Sequence, residues 1–368
     1  MKVGFDVGPL KPRPAGVGVY VQSLAAALAR LVPSEDLSFI GKRADATGLP
    51  DDVEFVGRSS GVPYSAWALL RAGAAARRAK ADIVHMTDGL VPIASRPRRV
   101  VLTVLDMTLV ERPQDHRIRR YLRIPFVLAA PRLAHVVVVP SRATADAVHR
   151  LTGTAIRRIR VVPLAARPGF SPAPRAAARE AAERHRLIAG SYILVPGTIE
   201  PRKNPLGTLR AFERLVSERR LDERMQLAYA GSMGWRVDRF AAAVESSQVR
   251  DRVRVLGYVP DADLPPLMTG AAVVAYPSFA EGFGFPVLEA MACGAIVVTS
   301  DRSSLPEVAG DAALLVDPTD TDSIADAILQ ATLLSGSARK AASAASIARA
   351  AAFSWRETAE RSVEAWGL

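Results

Sequence analysis

Gly197-Thr198-Ile199-Glu200-Pro201-Arg202-Lys203-Asn204 follows directly on the apolar run 192–195 and leads into a helical pattern over 204–216. A strand, a loop carrying two adjacent cations and a helix, in that order, make one βα unit of a parallel sheet. Ligands of such sheets bind beyond the strand C-termini, where this loop falls. The order recurs on both sides. Strands are expected at 225–230, 252–256, 271–275 and 295–299, and earlier at 2–7, 82–86, 100–104, 135–139 and 159–162. Helices are expected over 19–31, from Ser141 as a cap to about residue 151, and through almost all of the chain from Asp320. The strands of the second half are near-continuous Val, Leu, Ile and Ala, without the alternation of a half-wet sheet, so both of their faces should be buried.

Between the two sets of strands, residues 163–174 hold Pro163, Pro168, Pro172 and Pro174. Their fixed dihedrals and missing donors oppose any long regular element, which marks a linker. The fold class is therefore α/β, with two Rossmann-like parallel-sheet domains. A length of 368 residues fits two domains. Composition excludes other classes: 49% hydrophobic and 23% charged residues are values of a globular chain, not a disordered one. One cysteine, Cys293, forms neither an internal disulfide nor a zinc cluster, and is expected in the core of a cytoplasmic protein. No apolar run of 18 residues occurs, and the chain opens on strand-like 2–7 rather than a signal peptide. The charge is uneven. Residues 1–170 carry 26 Lys+Arg against 13 Asp+Glu, a net +13, leaving 22 against 24 for the rest. Such a field fits an anionic partner, although an alanine- and arginine-rich composition produces part of it by itself.

In the leading motif, Arg202 offers a forked guanidinium and Lys203 a mobile point charge, a pair suited to a diphosphate whose charge grows as a bond to it breaks. Asn204 is placed to cap the following helix. A second motif, Glu281-Gly282-Phe283-Gly284-Phe285-Pro286-Val287-Leu288-Glu289, follows the strand at 271–275 and opens a helix. Gly282 and Gly284 let a ligand approach the backbone, and the helix start favours an anion. Glu289 lies deeper in that helix, where a carboxylate is costly unless paired, and a ribose diol offers it two donors. Glu281, at the mouth of the loop, suits sugar hydroxyls. A third loop, Gly8 to Gly18, carries Gly16-Val17-Gly18 at a helix start, but Val21 stands where a dinucleotide fingerprint needs its third glycine. Asp261-Ala262-Asp263 has metal-ligand spacing but opens a proline-broken helix, so no metal is assigned to it. Arg117, Arg119, Arg120, Arg123 and Arg132 punctuate an apolar stretch that Pro125 and Pro131 interrupt, so residues 117–132 read either as a core helix with a solvated arginine face or as a peripheral contact with an anionic membrane.

Taken together, G-T-I-E-P-R-K-N, the two glutamates eight apart and the following S-D-R-S-S-L-P-E-V-A-G-D-A-A-L-L-V-D-P resemble a retaining glycosyltransferase of the GT-B fold in glycosyltransferase family 4. Val138-Val139-Pro140-Ser141, Ile159-Arg160-Val161-Val162-Pro163 and Phe353-Ser354-Trp355 stand in the order of that family, so the likeness spans the chain. It implies an acceptor domain at 1–167, a nucleotide-sugar donor domain at 168–350 and a final helix, 351–368, returning to the first domain on a face of Trp355, Ala359, Val363 and Trp366, with chemistry between the two. By the same resemblance, Arg202 and Lys203 bind the donor diphosphate, Glu289 the ribose and Glu281 the transferred sugar. The amides of Phe283 and Gly284 take phosphate or sugar, Gly197 belongs to the same loop, Gly16 and Gly18 approach from the other domain, and the base lies near Tyr258 and Val259. The implied reaction moves a hexosyl group, mannose from GDP-mannose by best match, to a glycan, lipid-linked or small-molecule acceptor with retention. No metal or other cofactor is expected, and no nucleic acid.

One departure stands out. GDP-mannose-dependent mannosyltransferases often carry His-Asp where this chain has Leu105-Asp106. Asp106 remains a candidate contact to the sugar or acceptor, and His85 and His116 are candidate substitutes for the missing imidazole. The alternatives are a UDP- or dTDP-sugar donor, or a non-catalytic module binding nucleotide sugars or polyanions.

Overall fold

The computed structural model describes residues 1–11, 16–41, 49–57, 62–95 and 97–367. They form two compact units, one of Met1–Pro113, Ile118–Ala165 and Phe353–Leu368, the other of Gln114–Arg117 and Ala166–Ala352.

The first unit is built on strands β1 (Val3–Asp6), β2 (Leu37–Gly41), β3 (Glu54–Gly57), β4 (Ile83–Met86), β5 (Arg99–Thr103), β6 (Val136–Val139) and β7 (Ile159–Val161). All pair in parallel, in the order β3-β2-β1-β4-β5-β6-β7. Its helices are α1 (Val17–Leu31), α2 (Tyr64–Leu70), α3 (Ala72–Arg78), α4 (Thr108–Glu111), α5 (Ile124–Leu133) and α6 (Arg142–Thr152). Ser141 caps α6 by accepting from the Thr144 amide, and Gly153 ends it in the left-handed conformation, as Ser141 and Gly153 bracketing the run require.

The second unit holds β8 (Tyr192–Pro196), β9 (Gln226–Ala230), β10 (Val253–Gly257), β11 (Val273–Tyr276), β12 (Val297–Ser300) and β13 (Leu314–Val316). They too are all parallel, ordered β10-β9-β8-β11-β12-β13. Helices α7 (Arg175–Arg184), α8 (Pro205–Ser217), α9 (Asp238–Ser246), α10 (Leu264–Gly270), α11 (Phe285–Ala292), α12 (Leu305–Ala309), α13 (Thr321–Leu333) and α14 (Gly336–Ala351) complete it. In both units the strand order reverses direction once, at β1/β4 and at β8/β11. A crevice forms at such a reversal, because the connections leave to opposite sides. The two glycine-containing motifs of the second half follow β8 and β11, so the topology brings them to one crevice.

Three features depart from the sequence expectations. β10 and β13 are edge strands and only partly buried, so burial on both faces holds for β8, β9, β11 and β12 alone. Strands β2, β3 and β13, with helices α2 and α3, were not anticipated. Helix α15 (Trp355–Gly367) packs on α1 and β6, but its buried face is Thr358, Ala359, Ser362, Ala365 and Trp366, while Trp355 and Val363 are only half-buried. Small residues let the helix sit close, and the Thr358 hydroxyl donates to the Pro163 carbonyl at 2.8 Å. Cys293 is buried, and burial pushes its thiol up to about 12, which makes it inert as the sequence implied.

Candidate functional site

Gly197 ends β8 with φ +97°, a conformation L side chains rarely adopt, and a Cβ built there would lie 2.5 Å from the Lys203 ammonium. Glycine is therefore what allows the lysine to fold back over the strand end. A 3-10 turn, Pro201–Lys203, follows, and Asn204 (φ 57°) ends it while capping α8 through the Gly207 amide at 3.1 Å. Its side-chain amide also donates to the Pro318 carbonyl at 2.7 Å, which ties the turn to the β13 connection. The backbone carbonyl of Arg202 accepts from the Phe279 amide at 2.8 Å and the Ser278 hydroxyl at 3.0 Å. These bonds join the two sequence motifs into one structure.

Between the motifs lies a network of ionised side chains. Arg202 meets Glu281 Oε2 at 2.6 Å, Glu200 Oε1 at 2.8 Å and the Ala280 carbonyl at 2.6 Å. Glu281 Oε1 accepts from the Tyr276 hydroxyl at 2.6 Å and the Ser278 hydroxyl at 3.1 Å. Burial by itself raises the Glu281 pKa, but Arg202, Lys203 and the Tyr276 hydrogen bond outweigh it and hold the carboxyl below its ordinary value. Glu281 is therefore a carboxylate. Lys203 is different: no hydrogen bond or ion pair ends on its ammonium among the described residues, and it stands 5.7 Å from the centre of the Tyr276 ring. Burial lowers its pKa, against the attraction of Glu281 and Glu200. A desolvated cation without a bonded counter-ion gains most from an incoming anion.

In the turn before α11, Gly284 has φ +110°, and a Cβ there would meet Leu305 at 2.6 Å. The Ser304 hydroxyl donates to the carbonyls of Glu281 at 2.9 Å and Phe283 at 2.8 Å, fixing the Gly282–Phe283 segment. One turn into α11, Glu289 is 3% exposed and receives Arg167 Nε at 2.6 Å and Nη2 at 3.1 Å, a bidentate pair. Arg167 also reaches Asp261 at 2.8 Å and lies over the Phe170 ring. Burial raises the Glu289 pKa and Arg167 opposes the rise. Beyond β10, Val259 is buried and Tyr258 is 57% exposed. A cavity of about 790 Å³ opens on the other side of the Glu200–Asn204 turn, lined by Arg210, Arg236, Phe240 and Phe279 among others, but not by Lys203, Glu281 or Glu289.

In the first unit, Gly16 (φ 52°) precedes α1 and Gly18 lies buried within it, while residues 12–15 of that loop lie outside the described residues. Asp106 is exposed beyond β5, its Oδ1 accepting from the Thr108 amide at 2.9 Å and hydroxyl at 2.6 Å. His85 is not a substitute for the missing imidazole. It is fully buried, accepts from Trp366 Nε1 at 3.1 Å on Nδ1, and shares a 2.8 Å hydrogen bond with Thr103 on Nε2. Thr103 in turn bonds Tyr20 at 2.7 Å. Burial lowers the His85 pKa to about 3, so the ring is a neutral core group. His116, which belongs to the second unit, is also buried and stacks on Trp235 of that unit.

Two family models match the chain, "Glycosyltransferase Family 4" over residues 14–168 and "Glycosyl transferases group 1" over 183–348. The O-antigen chain mannosyltransferase B of Escherichia coli is 34% identical, across 100% of this chain and 100% of its own. The chain belongs to glycosyltransferase family 4. A second Escherichia coli relative of this glycosyltransferase, the serotype-specific mannosyltransferase WbdA, is 33% identical over 48% of this chain and 22% of that protein. Among solved structures, Anabaena Alr3699/HepE in complex with UDP-glucose superposes with a TM-score of 0.76 at 17% identity, covering 100% of this chain and 99% of that one. The transferase thus has the GT-B fold.

Sequence reasoning found both motifs of the glycosyltransferase but not Arg167, which reaches Glu289 from the proline-rich connection. Its only signal is a lone cation between Pro163 and Pro172 with no carboxylate near it in sequence. Tyr276 and Ser278, which complete the shell of Glu281, were likewise missed, and Glu200 was quoted without a role. Asp261 is held by Arg167, and Asp263 by Arg184 at 2.6 Å and a hydrogen bond with the His185 ring at 3.0 Å. No group of three or more His, Cys, Asp or Glu poised for a metal occurs among the described residues.

Proposed function

We propose that this glycosyltransferase moves a hexosyl group, mannose from GDP-mannose by best match, to a glycan or lipid-linked acceptor with retention of anomeric configuration. The carrying observation is the Lys203 ammonium, half-buried with no ion-pair partner among the described residues at the end of β8, in the same crevice as ionised Glu281. The full-length likeness to a mannosyltransferase supports the sugar, and the O-antigen chain on which that relative acts supports a saccharide acceptor.

The charge arithmetic divides the labour. Arg202 is balanced by Glu200 and Glu281, so it orients the carboxylates and holds the loop, whereas Lys203 is free to meet the diphosphate, with the backbone at Phe283 and Gly284 beside it. As the sugar–phosphate bond breaks, negative charge grows on the leaving phosphate, and a preplaced ammonium stabilises that state more than the ground state. A carboxylate offers about four acceptor positions. Glu281 has three filled by Arg202, Tyr276 and Ser278, and Glu289 has three filled by the guanidinium and amide of Arg167. Each keeps room for one hydroxyl, from the transferred sugar at Glu281 and the ribose at Glu289. Base contacts are assigned to Tyr258 and Val259, a contact to the acceptor or the donor sugar to Asp106, and contacts to the donor phosphates from the first unit to Gly16 and Gly18. The departing phosphate oxygen takes the acceptor proton. The cations supply the charge a metal would, so turnover is proposed to be metal-independent.

The test is release of nucleotide from a panel of GDP-, UDP- and dTDP-sugars, with and without EDTA, followed by NMR assignment of the product anomer. GDP-mannose should be turned over fastest, unaffected by chelator, and give the α-anomer. Preference for a UDP-sugar would establish the second reading, which the HepE likeness favours; an inverted product would overturn the retaining mechanism.

A further inference from the structure

The 3-10 turn Ile118–Arg123 and α5 expose large apolar side chains on one side only. Ile118 is 75% exposed, Leu122 79% and Phe126 42%, and Pro125, Ala129 and Leu133 are exposed with them. The spacing is that of one helical stripe. The opposite stripe, Val127, Ala130 and Ala134, is buried in the core of the first unit. The segment is thus apolar on both faces, with protein against one. Ile118 and Leu122 are the two most exposed large hydrophobic side chains among the described residues. Water around such a stripe is unfavourable by its full apolar area, and a functional reason is needed for keeping it.

The surrounding charge selects the occupant. From His116 to Ala145 the chain has no Asp or Glu, while Arg117, Arg119, Arg120, Arg123, Arg132 and Arg142 fall in the same span. Of these, Arg123 is held by Asp88 at 2.9 Å, the side chain of Arg119 lies outside the described part, Arg120 acts on Asp88 electrostatically, Arg132 donates from Nε to the Thr152 carbonyl, and both Arg120 and Arg132 are exposed along the stripe. At the end of α5, Arg158 bonds the Arg132 carbonyl at 3.1 Å, which brings exposed Ile156 and Arg157 to the same edge. A second copy of this chain would bring the same arginines against these, and a soluble protein partner would need carboxylates matched to each. An anionic lipid surface satisfies both halves at once: acyl chains receive Ile118, Leu122 and Phe126, and headgroup phosphates receive the guanidinium groups.

We propose that Ile118–Leu133 is a peripheral membrane-docking face that inserts its apolar stripe into an anionic bilayer surface. The proposal is independent of the donor assignment. It places the first unit of the transferase at the interface where a lipid-linked acceptor would be met. Insertion is shallow, since among the described residues no helix is long and apolar enough to cross a membrane.

Flotation of the full chain with vesicles of pure phosphatidylcholine and of phosphatidylcholine containing 30 mol% phosphatidylglycerol, roughly physiological in charge, tests it. The chain should float with anionic vesicles and release as salt rises, each arginine at the surface contributing about a fivefold change in partition. Leu122→Asp and Ile118→Asp should each lower partition at least tenfold with unchanged thermal unfolding, whereas Leu333→Asp, at a 69% exposed leucine of the second unit, should not. Failure of the wild-type chain to float, equal binding to neutral vesicles, or unchanged partition in both stripe variants would overturn the proposal. So would a concentration-dependent dimer abolished by Leu122→Asp in a chain that binds no vesicles.

Discussion

Replacing Gly197 by alanine moves the Lys203 charge without removing it. The added Cβ would stand 2.5 Å from Nζ, where ordinary contact begins near 3.4 Å, so the ammonium must retreat by about 1 Å. A displacement of that size in a positioned charge costs about a hundredfold in rate, equivalent to roughly 2.7 kcal/mol of transition-state stabilisation. The same substitution forces alanine to φ +97°, which destabilises the fold by about 1–2 kcal/mol, or roughly 2–8 °C in a unit of this size. Gly190 separates the two effects. It lies in the turn before β8 at φ +81° with nothing within 4 Å of a built Cβ, so Gly190→Ala carries the backbone strain alone. Nucleotide release from the best-used nucleotide sugar, with thermal unfolding on the same samples, is the assay. Both variants should melt lower by similar amounts and only Gly197→Ala should lose turnover. Turnover in Gly197→Ala within threefold of Gly190→Ala, roughly the noise of such comparisons, would refute the placement of Lys203 at the reacting phosphate.

Lys203→Ala should lower kcat about a hundredfold without lowering the melting temperature, because it removes a desolvated cation with no ion-pair partner among the described residues; normal turnover would remove the diphosphate role. Arg167→Ala leaves the Glu289 carboxylate buried without its guanidinium and should cost about 3 kcal/mol of stability by urea unfolding, much of it restored in Arg167→Ala/Glu289→Gln; equal losses in both would contradict the pairing. His85 and Asp6 set opposite pH slopes. The depressed His85 pKa, about 3, means stability is lost as pH falls from 6.5, while burial raises Asp6 from 3.8 to about 6, so stability is gained as pH falls from 6 toward 3.8. Across pH 4–6 the two cancel. His85→Gln should therefore gain on the wild type by about 1.4 kcal/mol per pH unit on acidification through that window, and parallel curves would show that His85 titrates normally.

Most strands that the sequence made plain are central in their sheets, β7 and β10 being the edge strands among them. β8 and β11 are uninterrupted apolar runs because both faces are covered, and the motifs after them stand out against that background. β2, β3 and β13 escaped notice for the opposite reason. Leu37–Gly41 includes a serine and ends on glycine, Glu54–Gly57 is short and partly exposed at the sheet edge, and Leu314–Val316 has three residues, so none offers a period to read. Within the site, local chemistry was legible and distant pairing was not. Asn204 as a cap follows from its place before Pro205, and the need of Glu289 for a donor follows from its depth in α11. That the donor would be Arg167, 122 positions away, required the folded chain. On α15, Ala359 and Trp366 are buried as their spacing implies, but Trp355 and Val363 are only half-buried, because the small residues Thr358, Ser362 and Ala365 make the rest of the buried face.

Trp366 is the largest fully buried side chain among the described residues, and with the small residues of α15 it seals a core whose other members come from residues before 166. During synthesis, 187 residues, 166 through 352, must be added between the last strand of the first unit and the segment that closes it. At about 5–20 residues per second this interval lasts roughly ten to forty seconds. Throughout that time the nascent first unit presents an unfilled apolar slot beside α1 and β6, with the His85 imidazole facing water or a chaperone. The later half of the chain thus has the chance to fold first, and loss of Trp366 would prolong chaperone dependence of the earlier half rather than impair the donor crevice.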